Sequence, residues 1–151
     1  MEGLLLDPIM NEPSHEEKAM AAEKRIYIDF ISKLEGYKTR CKNLHWASVK
    51  KNIHVYLDEF LDIMSDYQDS LAEESMGICG HLSALDISGT MCSAQTAKEF
   101  IKEVIDNTIG FYKQIPDKPC HAGLKSECET FIHNCWKYKY LFELSAQDVS
   151  Y

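Results

Sequence analysis

Apolar residues recur at alternating spacings of three and four along most of the chain, and this period is typical of amphipathic helices. The first and longest run extends from about Ser14 to Trp46 and predicts a helix A. Its apolar stripe consists of Tyr27, Phe30, Leu34, Tyr37, Cys41 and Leu44. Ser14 and Glu17 have the spacing of a capping box, so helix A is expected to begin at about Ser14.

Three further helices follow the same period. Helix B is predicted from about Asn52 to Ser75, and helix C from about Ala94 to Gln114, where the sequence IPDKP (115–119) ends it. Helix D carries an apolar stripe from Leu124 to Phe142. The segment 77–93 between B and C contains three of the seven glycines, which predicts a long connection with at most one helical turn.

Four amphipathic helices with short A–B and C–D connections and a long B–C connection are expected to form a bundle. The sequence therefore predicts an all-α fold, a ferritin-like four-helix bundle with a long B–C crossover connection. With 151 residues, of which 45% are hydrophobic, the chain suits one domain with a proper core. The bundle is expected over 14–147, between an N-terminal extension, 1–13, expected to be flexible, and a C-terminal tail, 148–151.

The net charge of −8 argues against binding nucleic acid through a general basic surface. The N-terminus lacks the basic segment and long apolar run of a signal peptide, and no apolar stretch reaches membrane-spanning length. We therefore expect a cytoplasmic protein that makes no membrane contact. Its six cysteines are then expected to be reduced thiols. One group matches no standard zinc spacing and is interpreted as small buried residues: Cys120, His121, Cys128, His133 and Cys135.

Helix B carries two pairs of metal-ligand side chains, each pair spaced i, i+4. His54 and Asp58 form the first pair, and Asp69 and Glu73 form the second. On a helical wheel with His54 at zero, the other three lie at about 40°, 60° and 100°, opposite an apolar face near 260°. All four side chains therefore share one side of the helix. Imidazole and carboxylate together suit iron and other borderline or hard divalent ions.

One helix cannot bring both pairs to one ion, because Asp58 and Asp69 are separated by about 16 Å along the axis. A second copy of the helix can. The residue numbers of His54 and Glu73 add up to the same value as those of Asp58 and Asp69. The two pairs are therefore placed symmetrically about the middle of the helix. A two-fold axis near the middle of helix B would therefore place each pair against the other pair of the partner subunit. This symmetry predicts two identical intersubunit sites per dimer.

The spacing also has a simpler interpretation, a solvated acidic helix face. Further acidic residues lie near the same side: Glu59, Asp62, Asp66 and Glu74. Spacing alone does not decide between a solvated face and a metal site.

A resemblance favours the metal site. The succession His45-Trp46, His54-x-x-x-Asp58 and Asp69-x-x-x-Glu73 resembles the ferroxidase signature of Dps, the mini-ferritin family of DNA-binding proteins from starved cells. Further similar stretches occur in the same order over most of the chain: LHW (44–46), LDEF (57–60), AEE (72–74), the glycines Gly77 and Gly80, and KYLFEL (139–144).

The resemblance implies ferritin-like subunits assembled as two-fold dimers and then a hollow dodecamer, with iron at the two-fold interface. It implies these metal ligands, the first three from one subunit and the last two from its partner: His45, His54, Asp58, Asp69 and Glu73. Trp46 would be the aromatic neighbour of the site. The implied activity is that of a ferroxidase, which oxidises Fe(II) with hydrogen peroxide, or less efficiently with dioxygen, stores ferric oxide in the shell and protects against oxidative stress. Zinc is a possible substitute for iron.

The sequence also departs from the family. The stretch between His45 and His54 is shorter than the usual family loop by about one helical turn. No basic tail is present, which argues against DNA binding. The alternative is a non-enzymatic ferritin-like structural or interaction protein with a vestigial or zinc-binding site. The short A–B connection favours this alternative, whereas the presence of ligand residues at all five positions favours the ferroxidase.

Overall fold

The computed structural model describes residues 12–146, and these residues form four long α-helices without a strand. Helix α1 spans His15–Ala47, α2 Lys51–Cys79, α3 Ala97–Gln114 and α4 Ala122–Ser145, with a 3₁₀ turn at Pro119–His121 before α4. The predicted all-α architecture of four helices is confirmed. Most of the predicted N-terminal extension (1–11), residue 147 and the predicted tail (148–151) lie outside the described residues.

The helix ends follow from local hydrogen bonds. The Ser14 hydroxyl accepts a hydrogen bond from the Glu17 N–H, and the Glu17 carboxylate accepts one from the Ser14 N–H, each at 3.1 Å, so the predicted capping box is confirmed. Helix α2 continues past its predicted end to Cys79 and stops at Gly80, whose φ of 95° favours glycine. Helix α3 begins later than predicted, because the Thr96 side chain caps it.

The four helices enclose one apolar core. Helix α1 packs against α2 and α3, and α4 packs against the same two helices. Aromatic rings connect the elements: Phe30 of α1 stacks on Phe111 of α3 with centroids 4.1 Å apart, and Tyr67 of α2 stacks on Phe131 of α4 at 4.4 Å. Burial of apolar side chains such as these is the main favourable contribution to the free energy of folding.

The connection 80–96 lies along α1. Near its start, the Lys24 ammonium donates to the His81 carbonyl at 2.6 Å, and near its end the Arg40 guanidinium donates to the Cys92 carbonyl at 2.7 Å. Between these contacts, the Thr90 N–H donates to the Ser32 carbonyl at 3.2 Å. The connection therefore follows α1 from its N-terminal half to its C-terminal half.

Within residues 12–146, no helix is both long and apolar enough to cross a membrane. All six cysteines are free thiols, and all of them except Cys120 are buried. Burial raises the pKa of Cys92 to about 11 and that of Cys41 to about 12, so these thiols stay protonated at neutral pH.

Candidate metal centre

Two histidines meet where α1 ends and α2 begins. The helices are joined by the three residues 48–50, which brings the last turn of α1 beside the first turn of α2. His45 and His54 consequently stack, with ring centroids 3.8 Å apart and an angle of 20° between the ring planes. The short connection does not separate the two predicted ligands but holds them in contact.

Each of these histidines is hydrogen-bonded to the backbone of the other. His45 Nδ1 lies 2.6 Å from the His54 carbonyl oxygen, and His54 Nδ1 lies 2.6 Å from the His45 carbonyl oxygen. A carbonyl can only accept, so both Nδ1 atoms carry a hydrogen, and in the neutral rings both Nε2 atoms hold a lone pair. Metal-binding histidines are commonly oriented in this way, with the second nitrogen donating to a carbonyl.

Asp58 lies next to this pair. Its Oδ1 atom is 4.0 Å from His45 Nε2. Two ligand atoms that each bind one metal at about 2 Å lie at most about 4 Å apart. The imidazole and the carboxylate are therefore at the outer limit of the separation that one ion allows. The Asp58 side chain is about half exposed, so an ion can reach it from solvent.

A lysine already contacts the Asp58 carboxylate. Lys42 Nζ lies 3.5 Å from Asp58 Oδ1, and the same ammonium lies 5.8 Å from the centre of the Trp46 ring. Trp46, the predicted aromatic neighbour, is 68% exposed. A metal ion at Asp58 would have to displace the Lys42 ammonium or share the carboxylate with it.

The second ligand pair lies elsewhere on α2. The side chains of Asp69 and Glu73 are exposed and form no hydrogen bond or ion pair with residues 12–146. No three His, Cys, Asp or Glu side chains in this part of the chain are placed together to hold a metal. One chain therefore brings together His45, His54 and the nearby Asp58, but not the complete predicted ligand set. The intersubunit arrangement stays a prediction.

The cysteine and histidine group near the C-terminus was predicted to be buried, and that prediction is wrong for two of its five residues. Cys128 and Cys135 are buried in the core, whereas Cys120 and His133 are exposed. Cys41, one turn before His45, is also buried, and its thiol donates to the Leu57 carbonyl at 3.1 Å.

Sequence reasoning missed the surroundings of the fully buried His121. Its Nδ1 lies 2.5 Å from the Tyr27 hydroxyl, and its Nε2 lies 3.2 Å from the Glu23 carboxylate. The hydrogen bond from Lys118 lowers the pKa of Glu23. This network joins the start of α4 to α1. A lone histidine in a sequence gives no indication of partners about a hundred residues away.

Lys42 and the pair Glu74 and Glu127 were also missed. Burial, followed by the neighbouring Glu127 carboxyl, raises the pKa of Glu74 to about 7. The only signal for Lys42 was its spacing of three residues before His45. Nothing in the sequence pairs Glu74 with Glu127, because they lie on different helices.

Comparison of the chain with protein-family models, with curated proteins and with solved structures gives no match. The fold and the geometry of the centre are therefore the basis for a functional proposal.

Proposed function

We propose that this chain is the subunit of a Dps-like mini-ferritin that oxidises Fe(II) with hydrogen peroxide, or with dioxygen, and stores the ferric product. The observation that supports this best is the pair of reciprocal hydrogen bonds between His45 and His54. These bonds leave both Nε2 lone pairs available, one of them 4.0 Å from the Asp58 carboxylate. This is a donor set that iron accepts.

The path of the chain supports a ferritin-like bundle with a crossover. Tyr37 of α1 packs near Phe100 at the start of α3, with centroids 6.2 Å apart, and Tyr27 packs near Phe111 at its end, at 5.9 Å. Helix α3 therefore runs antiparallel to α1. Since the three-residue connection also makes α2 antiparallel to α1, α2 and α3 are parallel. Because α2 and α3 are consecutive and parallel, the connection between them has to run back along the length of the bundle. Residues 80–96 do so beside α1.

The proposed dimer places α2 of one subunit against α2 of another. Exposed carboxylates lie on the side of α2 that would meet its copy: Asp58, Asp69 and Glu73. Two such surfaces repel each other unless cations lie between them. Divalent ions that bridge His54 and Asp58 to Asp69 and Glu73 of the other copy would remove that repulsion. The proposed site therefore also explains how the acidic faces associate.

In the proposed reaction the substrates exchange electrons, and the protein binds the iron before and after oxidation. Fe(II) is the substrate, hydrogen peroxide takes its electrons, and ferric oxyhydroxide and protons are the products. The imidazoles bind Fe(II), and the carboxylates favour the product because Fe(III) is the harder, more highly charged ion. Asp62 and Asp66 are exposed on α2 and are candidates for holding ferric product in the cavity of a shell.

Size-exclusion chromatography tests the proposal. Metal-free protein is mixed with Fe(II) and hydrogen peroxide under conditions that otherwise precipitate ferric oxide, and both protein mass and iron are measured across the elution profile. We expect a large assembly whose iron content far exceeds the few ions that fill the predicted sites. A small, iron-poor species would overturn the storage function. Preformed ferric citrate serves as the control for adsorbed iron.

Removing the charge of Lys42 should strengthen metal binding at Asp58. An exposed ion pair is worth up to about 1 kcal/mol, so Lys42→Met is expected to raise the affinity for Co(II) by about two- to fivefold. Anaerobic titration followed by the visible spectrum of Co(II) measures this change. The control is Lys102→Met, which removes a similar partner, 2.6 Å away, from the exposed Asp106. An unchanged affinity in Lys42→Met would show that this lysine does not compete with the ion.

The contact between Lys42 and Asp58 also supports the alternative function, a non-enzymatic ferritin-like bundle with a vestigial or zinc site. A lysine ammonium beside the carboxylate supplies a cation without metal. Zinc binding without any acceleration of Fe(II) oxidation would favour this alternative.

A further inference from the structure

Two cysteines lie at the end of the bundle opposite the histidine pair. Cys79 is the last residue of α2, and Cys120 lies in the 3₁₀ turn that precedes α4. Both are free thiols, but Cys79 is buried and Cys120 is exposed. Neither of them belongs to the proposed metal ligand set.

The contacts between α2 and α4 show that the two helices are antiparallel neighbours. The ring of Tyr67 stacks on Phe131, with centroids 4.4 Å apart. Further along α2, the Ser70 hydroxyl donates to Glu127 at 2.7 Å, and Glu127 precedes Phe131 on α4. A step forward on α2 is therefore a step back on α4, so the end of α2 lies beside the start of α4.

Both cysteines lie at about the same height in the bundle. Cys79 is nine residues beyond Ser70, which is about 13 Å at the rise of an α-helix. Cys120 is seven residues before Glu127, which is about 11 Å once the larger rise of the 3₁₀ turn is included. These two displacements point in the same direction and differ by less than one helical turn.

Hydrogen bonds hold the two segments that carry these cysteines against one turn of α1. The Lys24 ammonium donates to the carbonyl of His81, which follows the end of α2 by two residues. The carboxylate of Glu23, the preceding residue of α1, lies 3.2 Å from Nε2 of His121, which adjoins the exposed cysteine. Adjacent residues of α1 therefore bring the two cysteines together.

The two thiols also interact with each other. Burial raises the pKa of Cys79, and the negative charges of Glu23 and of ionised Cys120 raise it further. The Cys79 thiol is therefore protonated at neutral pH. Since the thiolate is the form that attacks an oxidant, and since Cys120 is the exposed partner, peroxide in solution reacts first with Cys120.

We propose that Cys79 and Cys120 form a reversible disulfide when the protein meets hydrogen peroxide. The Cys120 sulfur attacks one peroxide oxygen, the O–O bond breaks, and a sulfenic acid and water form. The Cys79 sulfur then attacks the sulfenic sulfur, the S–O bond breaks, and the departing hydroxide takes the Cys79 proton as a second water. In total, two thiols and one peroxide give one disulfide and two waters. This step needs no iron.

The cross-link fastens the end of α2 to the turn before α4. The connection 80–96 and α3 then lie within one covalently closed loop. A closed loop restricts the unfolded chain and so favours the folded state. We therefore expect the oxidised protein to unfold at a higher denaturant concentration than the reduced protein, and dithiothreitol to reverse the shift.

Peptide mapping tests the cross-link. Metal-free protein is treated with a few equivalents of hydrogen peroxide in the presence of a chelator, the remaining thiols are blocked, and the chain is digested without reduction. We expect two of the six thiols to disappear and the peptides that contain Cys79 and Cys120 to be linked. A link between two copies of Cys120, or a sulfinic acid at Cys120 beside unreacted Cys79, would overturn the proposal.

Substitutions separate the two steps. Cys120→Ser should lose no thiol to peroxide, whereas Cys79→Ser should stop at the sulfenic acid, which dimedone labels. The control is Cys92→Ser, which removes another buried thiol, one that donates to Glu103 on α3 at 2.6 Å. This control should still form the cross-link. Equal loss of thiols in Cys120→Ser and the unsubstituted protein would mean that other cysteines react, and the proposal would be wrong. Circular dichroism checks that each variant is folded.

Discussion

Gly36→Ala is expected to lower the free energy of unfolding by about 3 kcal/mol. Gly36 is buried in α1 where the connection 80–96 passes over the helix. An added Cβ would overlap the Thr90 carbonyl oxygen and lie 2.7 Å from its carbonyl carbon. Both are backbone atoms, so no rotamer change relieves the clash. The connection would have to move, although the hydrogen bonds to Ser32 and Arg40 hold it on either side.

Chemical denaturation of the two proteins measures this effect. The control is Gly77→Ala, because Gly77 also lies in a helix but has no described atom within 4 Å of an added Cβ. Alanine has the higher helix propensity, so this control should gain up to about 1 kcal/mol. Similar changes in both variants would show that the connection does not pack tightly on α1.

Asp58→Ala is expected to slow peroxide-dependent Fe(II) oxidation by about a hundredfold, since it removes a carboxylate ligand from the proposed centre. The side chain is exposed and contributes little to the core, so the fold should persist. Stopped-flow absorbance of the ferric product measures the rate. Asp106→Ala is the matched control, since Asp106 is also an exposed helical aspartate paired with a lysine. A normal rate in Asp58→Ala would remove Asp58 from the ligand set.

Mixed subunits distinguish a site shared between subunits from a site within one chain. Asp58→Ala and Asp69→Ala should each be inactive alone. In a mixed dimer, one shared site loses both carboxylates and the other keeps both. Random mixing should therefore restore about a quarter of the sites. A site contained in one chain would show no recovery.

The helices were predictable because periodicity and end signals are local. The apolar stripe of α1 and the capping box at Ser14 lie within a few turns of each other, so a single stretch of sequence contains the information. The end of α2 and the start of α3 were misplaced by a few residues, because they depend on the φ of Gly80 and on the side-chain cap at Thr96.

The candidate site was predictable only in its residue types. The i, i+4 spacing identifies His54 and Asp58, and the wheel places them on one face. The contact of His45 with His54 depends on how tightly three residues turn the chain, and the position of Lys42 depends on the packing of α1 against α2. Such distances come from tertiary structure, which no short motif specifies.

The stacked histidines have a consequence for the entropy of binding. Their rings are already fixed by each other and by two backbone carbonyls before any ligand arrives. Flexible side chains lose rotamer freedom when they bind, whereas these two have little left to lose. The end of the bundle at residues 45–54 is thus preorganised, and a ligand of either Nε2 atom binds at a low conformational cost.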